Sequence, residues 1–365
     1  MNHMKTKIIL SGTLLVVLAL VIFGVNQKST PNTIRIGVMA PLSGGYSSAG
    51  ENMVKGITVA RDAYVKAHPD LKIELITEDD GFEVAKGVSA YKKLTGVNKI
   101  NALISLSTPV IDALDSEIIK TDMPVMQIGI QTVGIGPDNI FQNSPAAADG
   151  IFALANYINN KFNFIKSAIV YDTTPGGTVF HGVFKDNYKK ANDSFSITNK
   201  DDIKIQVNKI VSGKYDAVVM LNSSENGALI TKELLRMGYK GQLIYDAQLQ
   251  TAFADYERIL GDTKLINGAI SVWFKDGDRV AFNKEYKERY NSEPGFVSDF
   301  GYDSFNVLMN AYSTDNKTWL DNIQNTKTIG ASGKVVFDKD GIRKQDIAIN
   351  QVKDGKIVPV DAFEF

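Results

Sequence analysis

Cysteine is absent from all 365 residues of the sequence, and histidine occurs three times, at His3, His68 and His181. Without cysteine the chain cannot form disulfides, cysteine-ligated zinc or iron–sulfur sites, a thiol nucleophile or a lipid-modified cysteine anchor. The three histidines lie far apart in sequence and match no metal-ligand spacing. We therefore expect neither a metal site nor a disulfide framework.

An excess of one charge is also absent, because 40 Lys and Arg residues are balanced by 41 Asp and Glu residues, for a net charge of −1. Nucleic-acid-binding proteins normally carry a clustered basic excess. With 44% hydrophobic residues, the composition is that of an ordinary globular protein. We expect no nucleic-acid partner.

The motifs of many cofactor-dependent and hydrolytic enzymes are missing too. The sequence contains no G-x-x-x-x-G-K-[ST] loop, no G-x-S-x-G elbow and no H-E-x-x-H helix. The segment from Gly134 to Asn139 begins as G-x-G but lacks the third glycine of a dinucleotide fingerprint. Glu78, Asp79 and Asp80 follow a predicted strand, where a solvated loop or helix cap is expected rather than a metal site. We expect no catalytic residues and no cofactor.

Only one long apolar run occurs, the 18 uncharged residues Ile8–Val25 behind Lys5 and Lys7. A basic flank, an apolar run and a polar linker are typical of an export signal, and the run is just long enough to span a bilayer. No small-x-small cleavage site follows it. We expect an uncleaved membrane anchor, with the lysines in the cytoplasm and the body, from about Thr33, outside. A cleaved signal is the alternative.

Short β-branched strands alternate with amphipathic helices along the rest of the chain. The pattern begins with the strand Thr33–Ala40 and the helix Gly50–Lys66, and it starts again with the helix Asp149–Lys161 and the strand Lys166–Tyr171. Strands separated by such helices form βαβ units with a parallel sheet. The sequence therefore predicts an α/β fold of two doubly wound parallel-sheet lobes, with a hairpin turn at Asp354-Gly355 near the C-terminus.

Ligands of such sheets bind beyond the carboxyl ends of the strands. The predicted loops there include Pro41–Gly50, Leu106–Pro109, Gly129–Gly136, Asn222–Glu225 and Asp246–Thr251. Because these loops lead into helices, their backbone N–H groups can meet a carboxylate or another acceptor. The alternative is that their Ser and Thr hydroxyls only cap the helices.

An ordered set of motifs resembles the periplasmic solute-binding proteins of the leucine/isoleucine/valine-binding type, which serve ABC importers. The set covers nearly all of residues 33–360 and comprises Ile34–Gly45, Glu78–Gly81, Ala102–Ser105, Met123–Met126, Ala168–Asp172, Phe300–Asp303 and Gly333–Gly341. The resemblance implies a type I periplasmic binding protein, in which two lobes joined by three crossovers close over a small-molecule ligand by a hinge motion. It also implies ABC transporter permease subunits as partners.

The same resemblance implies how the chain divides. Residues 1–32 would be the signal or anchor with its linker. Residues 33–146 and 277–329 would form the first lobe, and residues 147–276 and 330–365 the second. This division agrees with the restart of the strand–helix pattern near residue 147.

The loops at the strand ends and the resemblance together give a set of candidate ligand-binding residues, which are Tyr46, Ser107, Thr108, Gln131, Thr132, Asn222 and Asp246; Asn222 comes from its loop alone. Ser107, Thr108, Gln131 and Thr132 stand where the family holds a carboxylate, and Tyr46 stands near an expected aromatic contact. Asp246 falls near an acidic position of the second lobe. The family's other acid for the ammonium group is replaced by residues 146–148, all alanine, with Asp149 too late in sequence.

Because that acid is missing, the predicted ligand is a branched-chain amino acid-like compound, an amide or a carboxylate. A solute-binding protein for an ABC importer is the function that the residues favour. A ligand-sensing ectodomain of the same fold, signalling through a partner protein, is the first alternative. An enzyme on a doubly wound scaffold is the second.

Overall fold

The structure, a computed structural model, describes residues 33–129 and 139–364. Its first sheet has five parallel strands in the order β2-β1-β3-β4-β5. Their bounds are β1 Thr33–Ala40, β2 Lys72–Asp79, β3 Ala102–Ser105, β4 Val125–Gln127 and β5 Ile140–Gln142. The helices between them are α1 Ser47–Ala67, α2 Val84–Gly96 and α3 Thr108–Ile118.

Alternation along these strands gives the first sheet two buried faces, as a doubly wound sheet requires. On one face Ile36 and Val38 belong to the same apolar cluster as Met53 and Ile57 of α1. On the other face Met39, Leu103 and Val125 pack with residues of α2 and α3, namely Ala90, Tyr91, Leu94, Val110, Ile111 and Leu114. The helices therefore cover both faces and leave only the strand ends for a ligand.

The second sheet has seven strands in the order β14-β13-β10-β9-β8-β6-β7, and β13 runs antiparallel to both of its neighbours, β10 and β14, while the other pairings are parallel. Their bounds are β6 Lys166–Asp172, β7 Ala191–Ile197, β8 Ala217–Leu221, β9 Gln242–Tyr245, β10 Ile270–Phe274, β13 Ile347–Lys353 and β14 Lys356–Phe363. The helices along this part of the chain are α4 Ala147–Lys161, α5 Pro175–Asn187, α6 Lys200–Ser212, α7 Ser224–Arg236, α8 Gln248–Thr251 and α9 Phe253–Leu260. The predicted turn between β13 and β14 is confirmed, with positive φ at Asp354 and Gly355.

The chain between β10 and β13 returns to the first sheet. It forms α10 Val280–Tyr290, α11 Ser298–Asn310, α12 Asn316–Gln324 and the small antiparallel pair β11 Lys327–Gly330 and β12 Gly333–Val336. Helix α11 crosses α1 so closely that a Cβ at Gly56 would lie 1.8 Å from the carbonyl oxygen of Ser298. Glycine at position 56 is thus a condition of this packing.

A buried polar network ties together the segments that link the two sheets. Arg343, which is fully buried, donates to Ser332 Oγ and to the carbonyl oxygen of Lys334, both at 2.8 Å. Ser332 in turn donates to the buried carboxylate of Asp303. Burial lowers the pKa of Arg343 to about 10, against the charge of Asp303, which favours the protonated form. The guanidinium and the carboxylate therefore stabilise each other's charge in the interior.

The α/β architecture with two parallel-sheet units is confirmed by this topology. The division of the chain into lobes at residues 146, 276 and 329 stays a prediction. Within the described ranges no helix combines the length and apolar character that crossing a membrane requires. The predicted anchor, Ile8–Val25, lies outside the described residues, and nothing in the structure bears on it.

Candidate functional site

The described residues of the predicted site all lie at or just beyond the carboxyl ends of strands. Tyr46 precedes α1 beyond β1, and Ser107 and Thr108 follow β3. In the second sheet Asn222 follows β8 and Asp246 follows β9. Gln131 and Thr132, predicted in the loop after β4, lie outside the described residues. The structure thus places the described members at the carboxyl-terminal ends of the strands of each sheet, where ligands of such folds bind. We call the strand ends with Tyr46, Ser107 and Thr108 the first edge, and those with Asn222 and Asp246 the second edge.

The first edge contains a buried carboxyl group, that of Asp80, for which we expected from the sequence a solvated loop or a helix cap. Asp80, which follows β2, is fully buried, and Ser107 Oγ donates to its Oδ1 at 2.9 Å. Burial raises the pKa of the Asp80 carboxyl. Ser107 does not cap α3 with its side chain. The expectation of a solvated loop or helix cap at Asp80 was therefore wrong, because its side chain turns inward to the hydroxyl after β3.

Thr108, the first residue of α3, has a different partner. Gln127 Nε2, at the end of β4, donates to Thr108 Oγ1 at 2.7 Å, and both side chains are buried. Since Thr108 Oγ1 accepts this bond, its own proton is left for another acceptor. Of the two predicted hydroxyls after β3, Ser107 donates its proton to Asp80, whereas the proton of Thr108 is not used in this contact.

Among the described members of the predicted set, Tyr46 is the exposed one, with 57% of its surface accessible. Its ring packs against that of Phe82 with centroids 4.4 Å apart. Phe82 has a positive φ of 62°, in the turn after β2. Such a conformation is strained for an aromatic residue. The two rings form an apolar surface beside the loops that follow β1 and β2.

The edge of the second sheet is acidic. Asp172, the last residue of β6, accepts hydrogen bonds from Asn222 Nδ2 at 2.8 Å, from the Ser223 backbone N–H at 2.7 Å and from Asn226 Nδ2 at 2.9 Å. These donors are neutral, so they orient the Asp172 carboxylate without cancelling its charge. Asn222 Oδ1 is buried and has no partner among the described residues. This edge therefore presents acceptors.

Asp246 adds a second carboxyl group to this edge. It is 3% exposed and accepts a hydrogen bond from the Gln248 backbone N–H at 2.9 Å. Burial, together with the negative charge of Asp172, raises the pKa of Asp246 to about 7. A cation or a strong hydrogen-bond donor placed here would compensate both carboxyl groups.

The start of α4 is where the resembled family would supply another acid. Ala146–Ala148 leave it without one, and Asp149 pairs instead with Lys344 Nζ at 3.1 Å. The acidic side chain of this helix is thus engaged in a structural ion pair. Asp172 and Asp246 are the acids that the second edge supplies.

The predicted site residues do not include Asp80, Gln127 and Asp172, which the structure places in contact with Ser107, Thr108 and Asn222 respectively. Asp80 and Asp172 each stand at a strand end, which is the signal that selected Asn222 and Asp246. Gln127 stands inside a short apolar run, and only its contact with Thr108 reveals its role.

Comparison with protein families matches residues 33–356 to the periplasmic binding protein family. One relative, the Leu/Ile/Val-binding protein homolog 3 of Brucella melitensis, is 25% identical over 224 residues. That match spans 58% of this chain and 60% of the relative's length.

Solved structures with the same fold bind chemically different ligands. A branched-chain amino acid substrate-binding protein from Streptococcus pneumoniae, solved with isoleucine, has a TM-score of 0.72 at 21% identity, over 91% of this chain and 99% of its own. A solute-binding protein from R. palustris, solved with benzoate, has a TM-score of 0.69 at 19% identity, over 91% and 96%. At these identities the similarity shows the fold alone.

Proposed function

The chain belongs to the periplasmic binding protein family, and from this premise we propose that it is a solute-binding protein that delivers a small polar ligand to an ABC importer. The resemblance predicted from the sequence is confirmed by the family match. The family and its fold are those of extracytoplasmic substrate-binding proteins. The transport role and the kind of ligand are what we add.

The observation that carries this proposal is the pair of polar strand edges. The first edge offers a hydroxyl donor at Thr108, and the second offers the carboxyl groups of Asp172 and Asp246 and the unpartnered oxygen of Asn222. Buried polar groups without partners are costly to a folded protein. A ligand held between the two edges would supply what these groups lack.

We assign the roles accordingly. Thr108 donates to an acceptor of the ligand, and Ser107 supports this edge through Asp80. Asp246 faces an amino or other donor group of the ligand, with Asn222 beside it. Tyr46 covers an apolar part of the ligand with its exposed ring. Gln131 and Thr132 stay in the proposal as further contacts to the acceptor end.

Two further parts of the sequence prediction stay proposals. The lobes are residues 33–146 with 277–329 and residues 147–276 with 330–365, and they close over the ligand by a hinge motion that the ligand stabilises. Ile8–Val25 tethers the protein to the outer face of the membrane, within reach of the permease subunits.

Thermal unfolding of the purified full-length chain, in mild detergent, tests the proposal against a panel of amino acids, amides, carboxylates and nucleosides. A ligand that binds only the folded state raises the melting temperature. We expect Thr108→Ala and Asp246→Ala to remove the shift while the ligand-free protein still unfolds cooperatively. Asp186→Ala, at an exposed aspartate of α5, is the matched control and should keep it.

No shift with any compound would contradict the proposal, and unchanged affinity in both variants would contradict the placement of the site. Uptake of the radiolabelled ligand by cells with and without this protein then separates transport from the sensing alternative. A sensory ectodomain would bind the ligand equally well but leave uptake unchanged.

A further inference from the structure

One buried side chain at the first edge has no role in the proposal above. Gln127 is 2% exposed at the end of β4, and its Oε1 has no hydrogen-bond partner within the described ranges. A buried amide oxygen without a partner opposes folding. An apolar residue would fill this strand position at less cost, so stability does not explain the glutamine.

The bond between Gln127 and Thr108 fixes where the Thr108 proton points. Gln127 Nε2 donates to Thr108 Oγ1 at 2.7 Å, so that oxygen already accepts one bond. A hydroxyl has one proton, which must then point away from the amide nitrogen that donates to it. The glutamine therefore leaves the Thr108 proton for another acceptor, which a bound molecule can supply.

Gly129 packs against this pair. A Cβ at Gly129 would lie 1.9 Å from Thr108 Oγ1 and 2.3 Å from Gln127 Nε2, so the chain passes directly over the two groups. Ser144 Oγ donates to the carbonyl oxygen of Gly129 at 2.8 Å and fixes that passage. A polar pair held this rigidly discriminates well between end groups of a ligand.

The pair combines one donor, the hydroxyl proton of Thr108, with one unpartnered acceptor, Gln127 Oε1. A carboxamide carries a C=O and an NH₂ group, so it satisfies Thr108 and Gln127 together. A carboxylate has acceptors only and would set an anionic oxygen against Gln127 Oε1. Building on the proposed function, we infer that Gln127 is a specificity-determining residue that selects ligands ending in a carboxamide over those ending in a carboxylate.

Matched ligand pairs test this inference by calorimetry on the full-length chain in mild detergent: isobutyramide with isobutyrate, L-leucinamide with L-leucine, and benzamide with benzoate. We expect at least one amide to bind about tenfold or more tightly than its carboxylate partner. Gln127→Leu, and Gln127→Met as a second variant should the first not fold, should bring that ratio close to one.

Gln345→Leu is the matched control, because Gln345 is also buried with an unpartnered Oε1, yet donates to the carbonyl oxygens of Lys275 and Ser332 rather than to Thr108. It should keep the preference for the amide. A carboxylate that binds as tightly as its amide, or a preference unchanged in the folded Gln127 variants, would overturn the inference and leave the proposed function standing. If no compound in these pairs or the wider panel binds, both fail.

Discussion

Replacing Asp246 by asparagine is expected to stabilise the ligand-free protein above pH 7. The buried carboxyl has a pKa of about 7 in the folded protein, against 3.8 as its ordinary value. A difference of about 3 in pKa, at about 1.4 kcal/mol for each unit, corresponds to about 4 kcal/mol. Asparagine keeps an oxygen for the Gln248 backbone N–H but does not ionise, so it removes the free-energy cost of a buried negative charge.

The direction in which stability changes with pH follows from the order of the two pKa values of Asp246, in the folded and in the unfolded protein. Below about pH 4 the carboxyl is protonated in both states, and its contribution to stability is fully present. Between about pH 4 and 7 it ionises in the unfolded chain first, so the free energy of unfolding falls as the pH rises. Above about pH 7 the loss is complete, and here Asp246→Asn and the parent should differ most.

Urea unfolding of both proteins between pH 4 and 8.5, without ligand, measures this difference. We expect similar stability near pH 4 and a gap that widens toward pH 8. Asp255→Asn is the control with the opposite sign, since hydrogen bonds from Arg258 and Ser224 lower the pKa of Asp255. The stabilising contribution of the Asp255 carboxylate is lost at low pH. The Asp255→Asn variant should therefore be less stable to urea than the parent at neutral pH. Parallel profiles for Asp246→Asn and the parent would refute the reasoning.

Two further predictions concern the packing that positions the edges. Gly56→Ala should destabilise the protein by about 1–3 kcal/mol, because its Cβ would meet the Ser298 carbonyl. Gly182→Ala, in open space within α5, should instead stabilise it by about 0.5–1 kcal/mol. Equal melting temperatures of the two variants would contradict the close contact between α1 and α11. Asp303→Asn should cost about 3–5 kcal/mol in urea unfolding by leaving the Arg343 charge uncompensated, and adding Arg343→Met should recover part of that loss. If the double variant lost more free energy of unfolding than the two single variants lose together, the pairing of Asp303 with Arg343 would be contradicted.

The asparagine variant of Asp246 also connects stability with function. The same substitution that stabilises the free protein should weaken binding of a ligand with an amino group, because the carboxyl is the group that would compensate it. Sites commonly keep such unfavourable groups for the sake of the ligand.

The strands with long β-branched runs could be predicted closely from the sequence. The predicted strand Thr33–Ala40 is β1, and the predicted Lys166–Tyr171 differs from β6, Lys166–Asp172, by one residue. The prediction missed β5 at Ile140–Gln142 and helix α12 at Asn316–Gln324. A strand of three residues has too few positions to show a period, and α12 buries little more than Trp319 and Ile323.

The site divides in the same way. Thr108, Asn222 and Asp246 could be selected because each follows a predicted strand, and parallel strands gather their carboxyl ends at one edge. The sequence could not show that Ser107 donates to Asp80 or that Gln127 holds Thr108, because these partners are 27 and 19 residues apart. Nor could it show that Asp149 is engaged by Lys344, 195 residues away.

The absence of cysteine was decisive at the level of the sequence, because a chain without cysteine cannot form a disulfide or a cysteine-ligated metal site in any fold. The alternation of strands and helices likewise determined the α/β class, because burial on two faces requires that pattern. What only the tertiary structure decided is the protonation and direction of the polar groups at the strand ends. Burial raises the pKa of Asp246, and the Gln127 amide donates to the Thr108 hydroxyl oxygen. Both effects arise from neighbours that the folded chain brings together.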